Sequence, residues 1–335
     1  METYQRDLAD SILQTHDPEE IALLVHEAVT AHLDWHNPVC FSIEISVGAT
    51  FGMQNSDGRK CLVKINGPDC IKSELASRAK FQQWIFQKDY PCPSLLLHPK
   101  YIQGRLTLIE AYLDQGRRAN GHVPADRKLM AEALATLVEL GQHYPDSESI
   151  PTDTLCSVPD SPWPKPHNIL FNFESTQSGA EWIDEIGSYY GAARDRVVAP
   201  RVLGHVDWGA KHTRISGGKI SAIYDWDSTA RVHETCVVGS AAVNYTATWY
   251  VECPNRPTML EMVAFVTDYE AARGKLFDDQ EVEEITANSY YSAAYGARCE
   301  HAADDLQDGS RDEFRRFLRG LIKADFSTLL KQRYR

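Results

Sequence analysis

Two periods of apolar and polar positions divide the chain. Asp17-Pro18-Glu19-Glu20 reads as a helix start, with proline near the first turn and acids at the positive end of the helix dipole. Ile21, Leu24, Val25, Ala28 and Val29 then form one apolar stripe, and two helices are expected up to about Trp35. From Val39 the period shortens to two. Phe41-Ser42-Ile43-Glu44-Ile45-Ser46 alternates and runs on through Val47 to Gly52. Asn55-Ser56-Asp57-Gly58 is a turn signal before the strand Cys61-Leu62-Val63-Lys64-Ile65. A helix over about Ile71 to Gln87 follows, and Leu106 to Leu113 reads as the last strand of a small sheet.

Helical spacing dominates the remainder. Leu129, Ala133, Leu134, Leu137, Val138 and Leu140 predict an amphipathic helix over Asp126 to Gln142. Tyr144 to Pro166, rich in Pro, Ser and Asp, reads as a surface excursion. It ends in Trp163-Pro164-Lys165-Pro166-His167-Asn168-Ile169-Leu170-Phe171, whose stiff prolines either line a pocket or, the preferred reading, pin the loop to the core. A helix around Trp182 to Ile186 leads through Val197 to Pro200 into the segment Gly204 to Ser228. There Gly217-Gly218 joins two short segments rich in β-branched residues and can take the positive φ of a tight hairpin turn. After Ser228 helices are expected to the end, over Val237 to Tyr250, Glu261 to Arg273, Glu281 to Glu300 and Asp312 to Leu330.

Composition narrows the classes. A chain of 335 residues can form one large domain or two lobes. No apolar run approaches the ~18 residues of a membrane span, and the N-terminus does not read as a signal peptide. The cysteines at 40, 61, 70, 92, 156, 236, 253 and 299 stand singly, without Cys-x-x-Cys spacing, which fits a reducing cytoplasm. The formal charge of −13 argues against nucleic acid as a partner and favours steering of a cationic small substrate.

The hairpin places Asp207 on the loop entering its first strand and Asp225 at the exit of its second, so both carboxylates lie at one end of one small sheet. Such a pair suits a reaction that needs one proton acceptor and one metal ligand. The order His205-Val206-Asp207, then a hairpin, then Tyr224-Asp225-Trp226-Asp227 resembles the catalytic segment of the aminoglycoside phosphotransferase and choline kinase group. That family reads His-Gly-Asp, an Asn five places on, a hairpin, and Ile-Asp-Trp; His212 stands here where the Asn is usual. The resemblance implies an α+β, bilobal protein-kinase-like fold. Residues 1–113 would form an N-lobe with a small antiparallel sheet, and 114–335 a mainly helical C-lobe. Asp207 is then the base that accepts the substrate hydroxyl's proton, and Asp225 holds Mg²⁺ against the nucleotide phosphates. Asp227 supports that ion directly or from behind, and His205 braces the loop. With His212 as a ligand, Mn²⁺ becomes an acceptable ion.

By the same resemblance Lys64 grips the α- and β-phosphates, although a strand lysine can also reach water along its own stem. Glu74 pairs with it or is a first-turn acid stabilised by the helix dipole. Glu110, Ala111 and Tyr112 form the hinge that meets the base of ATP or GTP, and Gly48 and Gly52 leave only a sparse phosphate loop. Glu234, Asp268 and Glu300 could meet an ammonium group or simply face water. Three functions follow in order of preference. The first is an ATP-dependent kinase acting on a hydroxyl of a small metabolite or antibiotic. The second is a pseudokinase that binds without transfer, and the third a metal-dependent phosphohydrolase.

Overall fold

A computed structural model describes residues 3–152, 161–304, 306 and 312–333. Cys156 and the middle of the expected surface excursion, 153–160, lie outside the described residues. The chain forms two compact units, Met1–Asp114 with His167–Phe171, and Gln115–Pro166 with Asn172–Arg335. The fold is α+β.

The first unit opens with helices α1 (Thr3–Leu13) and α2 (Pro18–Leu33). Asp17 caps α2 by accepting the Glu19 amide, and Pro18 occupies its first turn. Strands β1 (Val39–Ile45), β2 (Ala49–Gln54) and β3 (Lys60–Ile65) precede α3 (Lys72–Phe86), and β4 (Leu95–Ile102) and β5 (Arg105–Ala111) follow it. They make one antiparallel sheet in the order β1-β2-β3-β5-β4. Phe51, Met53, Cys61, Val63, Ile65 and Ile109 pack on Leu8, Ile12, Leu24, Val25 and Val29. Leu106 and Leu108 pack instead with Leu75 of α3. Because strand side chains alternate, Leu62 and Lys64 fall on this second face. Leu170 joins the first cluster and Asn168 donates to the Tyr4 hydroxyl at 2.9 Å, so part of the proline-rich excursion is pinned to a core.

Two expectations change here. The alternation in Phe41 to Ser46 predicts a half-buried strand, yet every residue of β1 except Ile45 is exposed, since β1 is the sheet edge and α1 packs on it only sparsely. Sequence reading also passed over β4, because Pro99 interrupts its pattern. Proline is tolerated there because β4 is the opposite edge, where a missing N–H breaks no interior ladder.

The second unit begins with β6 (Arg117–Arg118), α4 (Pro124–Gln142) and α5 (Glu181–Arg194). Then come β7 (Arg201–His205), β8 (Thr213–Ser216), β9 (Lys219–Ile223) and β10 (Thr229–His233). Helices α6 (Glu234–Asn244), α7 (Met259–Arg273), α8 (Asp279–Ala303), α9 (Glu313–Lys323) and α10 (Phe326–Lys331) complete it. Helix α8 is central, packing on α5, α6, α9 and α10, while α4 packs on α7 and β7. Trp163 is buried here: it donates to Asp184 Oδ1 at 2.6 Å and lies 5.5 Å from the Tyr291 ring.

The uninterrupted helical run expected after Ser228 is corrected at three places. Thr229–His233 is a strand, paired antiparallel with β7. Helix α6 stops at Asn244 rather than near Tyr250, and the last helical stretch is two helices, broken at Ala324-Asp325. No helix among the described residues is long and apolar enough to cross a membrane.

Gly217 and Gly218 have φ of 58° and 74° and form the two-residue loop between β8 and β9. No atom lies within 4 Å of a side chain built on either, so only the backbone conformation demands glycine. Gly217→Ala and Gly218→Ala should each lower stability by about 1–2 kcal/mol, read as a shift of the urea midpoint at unchanged slope.

Candidate active site

The site in the second unit is assembled by the pairing of β7 with β10. His205 lies opposite Thr229, and the Val206 amide donates to the Ser228 carbonyl at 3.0 Å. This draws the loop after β7 onto the turn after β9. Asp207, His212 and Asp225 consequently offer ligand atoms that all lie within 4.8 Å of one another. His212 Nε2 is 3.1 Å from Asp207 Oδ2 and 3.7 Å from Asp225 Oδ2. Two acid oxygens and one imidazole nitrogen make a hard-leaning set that fits a divalent cation.

Asp225 sits in the left-handed region, at φ 74° and ψ 47°, and accepts from Ser228 Oγ at 2.9 Å. Non-glycine residues in that region are strained and cluster at functional sites. Asp227, also expected at the metal, is not part of the three-residue cluster. It follows Trp226, whose ring is buried, in the short 3₁₀ turn Trp226–Ser228.

Asp207 carries a partner that sequence reading missed. Lys211 Nζ donates to Asp207 Oδ2 at 2.7 Å, the same oxygen that faces His212. Among the described residues nothing donates to Oδ1, which leaves that oxygen's lone pairs open. Burial would raise the Asp207 pKa. The Lys211 charge and the His212 hydrogen bond overcome it and hold the carboxyl well below its usual range. The missed signal was a lysine four places after the aspartate, within reach of it in a single tight turn.

His205 braces the loop. It is 1 % exposed, its Nε2–H donates to the Tyr224 carbonyl at 3.0 Å, and the Trp208 and Trp226 rings each lie 5.6 Å away, edge to face. Burial, then the neighbouring His212, lowers its pKa to about 4. The folded pKa thus lies below the unfolded value of about 6.5, so its stabilising effect is present above pH 6.5 and lost as pH falls toward 4. The linked loss is about 3 kcal/mol. His205→Gln, which keeps the N–H donor, should flatten the fall in melting temperature between pH 6.5 and 4; an unchanged slope would show the proton goes elsewhere.

In the first unit Lys64 Nζ lies 4.0 Å from Glu110 Oε1, on the neighbouring strand and the same sheet face. Glu110 is buried and accepts from Gln82 Nε2 of α3 at 3.0 Å. Glu74, the expected partner, forms its ion pair with Arg78 at 3.7 Å, one turn along α3. The reason is register: Lys64 and Glu110 are diagonal neighbours, whereas Glu74 lies on the first turn of α3. At the expected hinge, the Ala111 amide donates to Ser94 and the Tyr112 amide to Lys60, at 2.9 and 3.2 Å. Those two donors are therefore committed within the unit.

The turn between β1 and β2 is only Ser46-Val47-Gly48, and Gly52 lies within β2. A side chain at Gly52 would come within 2.6 Å of the Phe41 ring, whose centroid lies 5.1 Å from that of Tyr112 with the two planes tilted by 53°. Gly52 thus admits Phe41 to the sheet face.

The three acids considered for an ammonium group are all engaged. Glu234 pairs with Arg273 and the Tyr269 hydroxyl, and Asp268 with Arg127. Glu300 accepts the amides of Glu313, Phe314 and Arg315 at the start of α9.

No protein-family model and no curated protein matches the chain. Solved structures do. An amicoumacin kinase, solved with AMP-PNP and Ca²⁺, superposes with a TM-score of 0.64 at 12 % identity, covering 95 % of this chain and 97 % of that one. The chain has the fold of small-molecule kinases. The Plasmodium vivax ethanolamine kinase gives 0.59 at 14 % identity, with 98 % and 95 % covered. A spectinomycin phosphotransferase, solved with ADP and spectinomycin, gives 0.59 at 10 % identity, with 93 % and 98 % covered.

Proposed function

We propose that this kinase-fold chain is an ATP-dependent phosphotransferase that moves the γ-phosphate to a hydroxyl of a small molecule. The observation that carries the reading is the clustering of Asp207, His212 and Asp225, with one Asp207 oxygen left open. Likeness to solved small-molecule kinases over nearly the whole chain supports it.

Asp207 Oδ1 would accept the acceptor's proton, and its depressed pKa keeps it ionised at neutral pH. Lys211 holds the other oxygen at 2.7 Å and so aims the carboxylate at its target with or without the ion. Asp225 and His212 would hold a divalent ion, Mg²⁺ or Mn²⁺, which when bound neutralises charge on the phosphates. For His212 this use requires a bare Nε2, whereas the bond to Asp207 uses Nε2–H; the two states exclude each other. Asp227 would act only as a neighbour of that ion.

Lys64, oriented by Glu110, would bind the nucleotide phosphates. Glu110, Ala111 and Tyr112 would meet the base through carbonyl oxygens and the Tyr112 ring, beside Phe41. ATP is preferred to GTP by analogy with the AMP-PNP of the amicoumacin kinase.

The test is a screen of hydroxyl acceptors for ADP release with Mg²⁺ and with Mn²⁺, alongside Mg-ATP affinity. Acceptor-dependent ADP release is expected. Nucleotide binding with no release would leave a binding protein, and phosphate release without acceptor would mark a hydrolase.

A further inference from the structure

The loop after α6 carries two exposed aromatic rings next to the proposed base. Trp249 is 64 % and Tyr250 38 % exposed, with centroids 5.7 Å apart. Bare tryptophan on a mobile loop would mean little, but this loop is tightly held. Thr246 Oγ1 donates to Asn255 O at 2.7 Å, and the Thr248 amide to Asn255 Oδ1 at 3.0 Å. The amides of Ala210 and Lys211, in the turn that follows Asp207, donate to the carbonyls of Tyr245 and Ala247. The rings are thus presented by rigid backbone tied to the catalytic turn, at an entropic advantage for binding.

Both rings carry cations. Lys211 Nζ, which holds Asp207, lies 5.2 Å from the Trp249 centroid, and the Arg118 guanidinium stacks 3.9 Å from the Tyr250 centroid. Arg118 also donates to the Lys211 carbonyl at 3.0 Å. An aromatic pair meant to receive an ammonium group would leave its electron-rich faces to the ligand. Here protein cations already occupy that role and would repel a second positive charge. Lys211 further offsets the Asp207 carboxylate, and Glu234, Asp268 and Glu300 are engaged elsewhere.

Resting on the kinase reading above, we infer that Trp249, Tyr250, Arg118 and Lys211 form the acceptor-selecting wall, and that it takes a flat acceptor bearing a negative charge rather than an ammonium. The acceptor's ring lies on the open side of Trp249. Its acidic group faces Arg118, and its hydroxyl points to Asp207.

Binding of three matched alcohols to the full chain, with Mg-ADP present, tests this by NMR titration. They are para-hydroxymethylbenzoate, benzyl alcohol and para-hydroxymethylbenzylammonium. The carboxylate should bind about tenfold tighter than the ammonium, with benzyl alcohol between them. Arg118→Gln removes the charge and leaves a neutral polar side chain; it should weaken the carboxylate about tenfold while changing benzyl alcohol much less. Trp249→Ala, at an exposed position, should abolish binding of all three. Tighter binding of the ammonium, binding of none, or indifference to Trp249→Ala would overturn the inference. The titration requires no phosphate transfer. Loss of Mg-ATP binding or of ADP release, scored separately, would strike the kinase reading while the charge order at the wall stood or fell by itself.

Discussion

Asp207→Asn is expected to reduce turnover by about 10²- to 10⁴-fold while Mg-ATP affinity stays within a factor of about two. The substitution preserves shape. An amide oxygen can still accept from Lys211, whose ammonium sits 2.7 Å from Oδ2, so the turn that carries Lys211 and His212 keeps its anchor. What disappears is basicity: an amide cannot take a proton from an approaching hydroxyl. A carboxylate held ionised by Lys211 can do so, although its low pKa makes it a weak base, and its contribution comes mainly from aim. The comparison is between steady-state ADP release with the best acceptor and nucleotide titration on the same preparation. Unchanged release would remove Asp207 from the chemistry. Equal loss of release and nucleotide affinity would show that the turn had collapsed.

At Asp225 two substitutions separate chemistry from conformation. Asp225→Asn keeps a side chain tolerant of φ 74° and able to accept from Ser228, but removes the charge that would bind a cation. ADP release should fall by about 10²-fold or more, corresponding to the loss of several kcal/mol of charge stabilisation. Its melting temperature should stay near that of the parent. Asp225→Ala loses the charge, the Ser228 contact and the tolerance of the left-handed backbone together. It should therefore be inactive and also less stable by about 1–2 kcal/mol. If Asp225→Asn retains full activity with Mg²⁺ and with Mn²⁺, the ion is not held there.

The candidate site was legible where its signal was local. The order His205, Asp207, His212, Asp225 could be read because all four fall in one short segment whose spacing resembles a known catalytic motif, and Gly217-Gly218 announced the turn; the pairing of β7 with β10 that closes the site could not. Lys211 was overlooked although it lies within the same segment, because a lysine four places from an aspartate is common on any surface. Trp249 was hidden by its neighbours: Val237 to Val243 is apolar and helical, and nothing in the pattern says that the helix stops at Asn244. Only the fold shows that the next residues bend out to meet the turn that follows Asp207.

By itself the sequence determined the helices with long apolar stripes, the hairpin turn and the ordered set of acids and histidines, since each depends on residues a few places apart. Tertiary structure decided the rest. It made Thr229–His233 a strand, because five residues form one only when a partner such as β7 supplies the hydrogen bonds. It placed Glu110 rather than Glu74 beside Lys64, through cross-strand register set by pairing across more than forty residues of chain. It also left β1 exposed despite perfect alternation, because burial depends on which face a helix covers, and no strand encodes that in its own pattern.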